Sequence, residues 1–215
     1  MRRWVREITP AAERELFWSP DGRLETRYFD VRSPVNFQDG ATFEVGRNST
    51  FEHLSRPFRI QNDVRIPAGD YGFDEYFVSY NSNRARKLSG NMRVQTGEFW
   101  NGDKTTYTLG STVRFGYRLT TSLNYSRNNV RLPDREFSTN LVTTRLNLSF
   151  TTTVFLNALL QYNSDAKQWS SNIRFNIIHR PLSDFFLVFN ERRDTMTHSL
   201  LDRALIAKVT YRIGY

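Results

Sequence analysis

Arginine dominates the groups in this chain that could do chemistry. Of the 30 basic residues only Lys87, Lys104, Lys167 and Lys208 are lysines, so the remaining 26 carry guanidinium groups. A flat, multi-donor head of that kind suits recognition of carboxylates, phosphates and carbonyl oxygens. Arg114, Arg118, Arg145, Arg174 and Arg212 are the most informative, because each falls on the polar side of an alternating segment. Asn157, Asn172 and Lys208 share that side. Together these eight are the candidate lumen-facing set. Two roles follow: selecting an anion or acidic glycan, or pairing with Asp and Glu to fill an interior.

Other chemistry is poorly served. With no cysteine there is no disulfide, thiolate metal site or thiol nucleophile. His53, His179 and His198 lie far apart, without metal-ligand neighbours at helical or zinc-knuckle spacing. His179 and Asp184 flank a short turn, which predicts a structural hydrogen bond between them. Gly110 and Gly116 precede no helix start, so they make no phosphate loop. No Ser and His are singled out as a nucleophile and base. The expectation is a non-enzymatic protein without catalytic residues, metal or cofactor.

What must position the polar residues is a set of β-strands. Val142, Thr144, Leu146, Leu148 and Phe150 alternate with Thr143, Arg145, Asn147 and Ser149. Val154, Leu156, Ala158, Leu160 and Tyr162 oppose Asn157, Gln161 and Asn163. Trp169, Ser171, Ile173, Phe175 and Ile177 oppose Ser170, Asn172, Arg174 and Asn176. Tyr107, Leu109, Val113, Phe115 and Tyr117 oppose Thr108, Gly110, Thr112, Arg114, Gly116 and Arg118. The last segment sets Leu205, Ala207, Val209, Tyr211, Ile213 and Tyr215 against Lys208, Thr210, Arg212 and Gly214. In the N-terminal half Ala41, Phe43, Val45 and Phe51 share a parity against Thr42, Glu44, Gly46, Asn48 and Thr50. Turns are signalled by Asp21-Gly22, Asp39-Gly40, Pro67-Ala68-Gly69 and Asn101-Gly102.

Segments of about ten residues match the span of a tilted transmembrane strand. A mean hydropathy of -0.58 is compatible with a barrel, where only alternate residues meet lipid. The polar face is rich in Asn, Ser, Thr and Arg rather than Lys and Glu, and aromatics gather near segment ends, as interfacial girdles do. Connections are expected to alternate: short at Gly116, Thr151-Thr152 and Arg180-Pro181-Leu182-Ser183, long at Arg127 to Glu136 and Arg193 to Asp202, with a polar Ser164 to Gln168. The expected fold is an all-β, antiparallel transmembrane β-barrel of about twelve to fourteen strands, occupying residues 1–215 as one domain and forming a C-terminal, incomplete portion. The Met1-Arg2-Arg3-Trp4-Val5-Arg6-Glu7 start has charge without an apolar core behind it, so the export signal is expected upstream.

A family resemblance adds to this. Ile66-Pro67-Ala68-Gly69-Asp70-Tyr71-Gly72-Phe73, Gly97-Glu98-Phe99-Trp100-Asn101-Gly102, Leu160-Gln161-Tyr162-Asn163-Ser164, Asn172-Ile173-Arg174-Phe175 and Arg180-Pro181-Leu182-Ser183-Asp184-Phe185-Phe186 through Glu191 resemble an uncharacterised family of bacterial outer-membrane barrels. Longer members carry a signal peptide and a periplasmic carbohydrate-binding module, of the family-9 type, ahead of the barrel. The resemblance implies residence in the outer membrane of a Gram-negative-type bacterium, contact with its lipids, and a glycan link through that module. Leu182 departs from the pattern, which has glycine in this turn. Tyr211, Ile213 and Tyr215 resemble the aromatic-ended terminal strand recognised by barrel-insertion machinery. The competing reading is a soluble basic β-sandwich binding an anionic polymer, since the formal charge is +8; nucleic acid is not the expected partner because the arginines are scattered.

Overall fold

The computed structural model describes residues 4–61 and 64–213 and contains antiparallel strands but, among the described residues, no helix. Among the described residues fifteen strands form in chain order: β1 (Val5–Ile8), β2 (Ala11–Trp18), β3 (Leu24–Phe37), β4 (Thr42–Leu54), β5 (Phe58–Gln61), β6 (Val64–Ile66), β7 (Gly69–Asn81), β8 (Leu88–Phe99), β9 (Gly102–Phe115), β10 (Leu119–Leu132), β11 (Arg135–Ser149), β12 (Val154–Asn163), β13 (Gln168–Arg180), β14 (Ser183–Asp194) and β15 (Leu200–Thr210). A 13-stranded sheet takes the order β1-β3-β4-β7-β8-β9-β10-β11-β12-β13-β14-β15, with β2 also on β3; β5 and β6 pair separately. No pairing among the described residues joins β15 to β1, β2 or β3, so the sheet is open.

The chain divides into two compact units, and β8 to β11 contribute a stretch to each. The first unit comprises Met1–Asn83, Asn91–Thr108 and Arg127–Ser138. Its small apolar core is made by Val64, Ile66, Val130 and Leu132, with Leu54, Ile60, Tyr71, Phe99, Trp100 and Phe137 packed around them. The β5–β6 hairpin thus finds its burial against the ends of β10 and β11. Trp100 lies 5.3 Å from Tyr71 and 5.7 Å from Phe73 by ring centroids. The second unit comprises Arg84–Gly90, Leu109–Ser126 and Thr139–Tyr215.

Along β4, β7 and β8 the exposure is inverted relative to a water-soluble sheet. Along β7 the buried positions are Phe73, Glu75, Phe77 and Ser79, while Tyr76 and Val78 are 56% and 46% exposed. Directly opposed residues share a face, so register extends the pattern sideways. Val45, Val78 and Val94 form one exposed row, and Phe43, Tyr80 and Met92 another. In the second unit Leu148, Leu156, Phe175, Leu187 and Ala207 form a row, beside Leu146, Ala158, Ile173, Phe189 and Leu205. From β11 to β15 the segments predicted from period two therefore meet their neighbours in phase.

The connections correct the expected rhythm. Arg127 to Glu136 is not a loop: β10 and β11 run through it to the short Pro133-Asp134 turn. Val130 and Leu132 are buried there, so the alternation that continued past Arg127 was strand rather than linker. Arg193 to Asp202 shortens likewise to residues 195–199, and the expected alternation of loop lengths disappears. The turns at Asp21-Gly22 and Asp39-Gly40 are found as expected, as is the reversal at Gly116, whose φ of 63° is the left-handed geometry glycine tolerates, whereas the β8–β9 turn falls one residue earlier than expected, on Trp100 and Asn101, with Gly102 already in β9.

The turn at Pro181-Leu182 explains its own departure. Leu182 has φ 63° and is exposed. Proline followed by a positive-φ residue is the type II pattern, which demands glycine at the second position; leucine there carries a Cβ clash worth roughly 1–2 kcal/mol. Leu182→Gly should therefore raise unfolding stability by about 1 kcal/mol, read as a higher denaturation midpoint with unchanged slope. An unchanged or lower midpoint would contradict the strain.

Candidate functional site

The polar rows of the second unit gather most of the predicted residues. Asn147, Asn157 and Arg174 are directly opposed across β11, β12 and β13. The next row holds Arg145, Leu159, Asn172 and Asn190, and the one on the other side holds Phe155, Asn176, Phe186 and Lys208. Arg145, Asn157, Asn172, Arg174 and Lys208 thus share one face, opposite the apolar rows. Asn172 donates through Nδ2 to Asn190 Oδ1, and Gln161 Nε2 reaches Thr143 Oγ1 at 3.5 Å. Asn176 Oδ1 is buried with no hydrogen-bond partner.

Three predicted residues fall elsewhere. Arg118 lies in the turn following β9, because the left-handed Gly116 breaks the strand before it; its Nε donates to the Tyr117 hydroxyl at 3.1 Å. Arg212 lies beyond β15, whose ladder ends at Thr210 because its partner β14 begins at Ser183. Side chains hold the Arg212 backbone instead: its N–H donates to Ser183 Oγ at 3.0 Å and its carbonyl accepts from Arg180 Nη2 at 2.9 Å. Tyr211 and Ile213 are likewise outside the strand and exposed, with the Tyr211 ring 4.3 Å beneath the Arg180 guanidinium. Tyr215 lies outside the described residues. Arg114 is the penultimate residue of β9 and donates to the carbonyls of Arg84, at 2.6 Å, and Arg86, at 3.2 Å.

Among the described residues none of the five singled-out arginines enters an ion pair with a carboxylate. The ion pairs belong to others, such as Arg192 with Asp202 and both Arg193 and Arg203 with Glu191. Arg145, Arg174 and Lys208 are exposed on a face that mixes asparagines with Phe155, Leu159, Phe186 and Val188, and among the described residues they have no carboxylate partner.

The histidines also differ from expectation. No hydrogen bond joins His179 to Asp184: the ladder slips between Ile178 and Arg180, leaving His179 exposed, while Asp184 Oδ1 is buried without a partner. His53 is held between strand ends, its Nδ1–H donating to Asp70 Oδ1 at 2.5 Å and its Nε2 accepting from Arg23 Nη1 at 3.0 Å. Among the described residues no group of three or more His, Cys, Asp or Glu could hold a metal ion.

Sequence reasoning missed a second polar face, in the first unit. Glu13, Asp30, Asn48 and Glu75 are directly opposed across β2, β3, β4 and β7. Arg32 donates to Asp30 Oδ1 at 2.7 Å and approaches Glu13 Oε2 at 3.4 Å. Glu75, only 7% exposed, has Lys104 Nζ 3.0 Å from Oε1, and Lys104 also lies 4.3 Å from the Phe99 ring centre. Arg93 stacks 3.7 Å over Phe77, whose ring occupies the space that a side chain at Gly46 would fill. The signal was present in part in β4, where Glu44 lies between Phe43 and Val45 and Thr50 precedes Phe51, but Asn48 lies between Arg47 and Ser49; β2, β3 and β7 mix aromatics into both faces, which hides it.

Comparison with known proteins returned no matching family model, no matching curated protein and no matching solved structure.

Lys104→Met should strand the Glu75 carboxylate in its buried position and destabilise the fold by about 3–5 kcal/mol. Adding Glu75→Gln should restore part of that loss, because an amide has no charge to leave unpaired. Denaturant unfolding of the two single variants and the double gives the coupling; strict additivity would mean that the ion pair is not what holds Glu75.

Proposed function

We propose that this chain is the membrane-embedded C-terminal part of a non-enzymatic outer-membrane β-barrel of a Gram-negative-type bacterium, serving the passage or handling of a solute or glycan. The observation that carries the reading is the inverted exposure: Tyr76, Val78 and Tyr80 face outward while Glu75 and Ser79 on the same strand are buried. In water such an arrangement leaves broad apolar rows unburied, against the main driving force of folding. Surrounded by acyl chains the same rows are solvated by their own kind, and polar side chains turn away from lipid.

Strand length supports this reading. From β7 to β15 the strands have 10 to 15 residues, against the roughly 9–11 that a tilted transmembrane strand requires. The open sheet accords with a part of a larger barrel, since a spanning sheet needs every edge paired. Outer-membrane lipids are then the partner of the apolar rows. Barrel-insertion machinery is the proposed reader of the aromatic C-terminal end. A glycan would be delivered by a carbohydrate-binding module in longer proteins of this kind. Arg145, Arg174 and Lys208, exposed and without a carboxylate partner among the described residues, suit an anionic or polyhydroxylated solute, with no covalent step required.

Lipid exposure has a measurable consequence. Val78→Arg and Ile173→Arg should each cost about 2–4 kcal/mol when unfolding is measured from lipid vesicles, while Asn157→Arg on the opposite face should cost much less. Equal tolerance of all three, together with a detergent-free folded monomer, would favour the soluble basic domain that binds an anionic polymer. Conductance of the full-length parent in planar bilayers tests the transport part, and a sealed barrel indifferent to added solutes would remove it.

A further inference from the structure

On the apolar side of the second unit, charged and aromatic side chains gather where the apolar rows stop. Beyond the row of Leu146, Ala158, Ile173, Phe189 and Leu205 comes one of Thr144, Leu160, Ser171, Glu191 and Arg203. The next row, of Val142, Tyr162, Trp169, Arg193 and Leu200, lies beside the turns at 164–167 and 195–199. Trp169 is exposed there. Under the membrane reading, on which this inference rests, aromatic side chains at the end of an apolar face lie level with the lipid headgroups.

Charge at that level is preorganised and unbalanced. Glu191 is the inner member, its side chain 14% exposed against 43% for Arg193 and 48% for Arg203. Arg193 donates through Nε to Oε1 at 2.5 Å, and Arg203 through Nε to Oε2 at 2.7 Å. One carboxylate therefore holds two guanidinium groups side by side and neutralises only one of them. Each guanidinium carries five N–H donors, and among the described residues no second acceptor takes the Nη1 and Nη2 groups of Arg193. A positive charge facing acyl chains is costly. At headgroup depth the same charge meets phosphate oxygens, which a guanidinium fork binds bidentately.

The neighbouring side chains say what carries that phosphate. Ile173, Phe189 and Leu205 lie in the row next to Glu191 on the same face. A free anion gains nothing from them, whereas the acyl chains of a lipid cover them. Arg192, on the opposite face, is paired with Asp202 and has no such apolar surroundings to share with a lipid. We infer that Arg193 and Arg203, held by Glu191, bind the phosphate of a lipid headgroup whose acyl chains lie along Ile173, Phe189 and Leu205.

The test uses the full chain folded in phosphatidylcholine vesicles and reads quenching of its tryptophan fluorescence by acyl-brominated phosphatidic acid. Acyl-brominated phosphatidylcholine, whose own choline offsets its phosphate charge, is the reference. The expected result is a preference for phosphatidic acid of about fivefold, lost in Arg193→Gln and in Arg203→Gln and kept in Arg192→Gln. Trp169→Phe should remove the selective part of the quenching. Each of the first two variants leaves Glu191 one guanidinium partner; circular dichroism checks folding, and should one of them fail, the other decides. The inference is overturned by an unchanged preference in either folded variant, by an equal loss in Arg192→Gln, or by selective quenching that survives Trp169→Phe. An equal preference for dibromostearic acid, whose head is a carboxylate, or displacement by inorganic phosphate overturns it as well. Folding into phosphatidylcholine vesicles without any preference removes this site and leaves the membrane reading standing; failure to fold into any vesicle removes both.

Discussion

Backbone hydrogen bonding between antiparallel neighbours ties each side chain in this protein to one face of a sheet, and it does so cooperatively. Because opposed residues point the same way, the alternation in one strand has to agree with that of the strands beside it. A slip of one residue at β13 would move Arg174 and Asn172 onto the row of Ile173 and Phe175, placing charge and amide among leucines. Register is therefore the constraint from which both the apolar rows and the polar faces derive. With so little conventional core, sequence alternation enforced by the ladder organises most of the molecule.

That constraint explains why some of the fold was legible and some was not. Between Leu141 and Ile177 the hydrophobic period is nearly unbroken, and the strands formed in the expected phase. Between Leu24 and Asn81 aromatic residues occupy both parities: Phe73 and Phe77 point with Glu75, whereas Tyr76 and Tyr80 point away. A one-dimensional pattern cannot assign such residues, since their side depends on whether a neighbour such as Gly46 leaves room for a ring. The acidic row was invisible for the same reason. Its members lie 17, 18 and 27 residues apart in sequence and meet only through register.

Strand ends obey different rules, and there the errors cluster. Arg118 and Arg212 have the right parity for the polar face, but parity has meaning only while a ladder partner exists. Gly116 ends one ladder by its backbone conformation; the start of β14 at Ser183 ends the other by exhausting the partner. The opposite error, reading Arg127 to Glu136 as a loop, came from weighing polarity above period. Arg127, Arg131 and Glu136 are exposed, while Val130 and Leu132, on the other parity, close the core around Ile66.

Charge placement then separates the two polar faces by kind. In the second unit Arg174 opposes Asn157, Arg145 opposes Leu159 and Lys208 opposes Phe186, and all three cations are exposed to solvent. In the first unit Glu13, Asp30 and Glu75 share one row, with Arg32 paired to the first two and Lys104 to the buried third. If filling space were the sole requirement, each charge would be neutralised by a neighbour within its own unit, as Glu191 is by Arg193 and Arg203. Charges that stand in solvent need no such partner, whereas a buried one such as Glu75 does, and Lys104 supplies it.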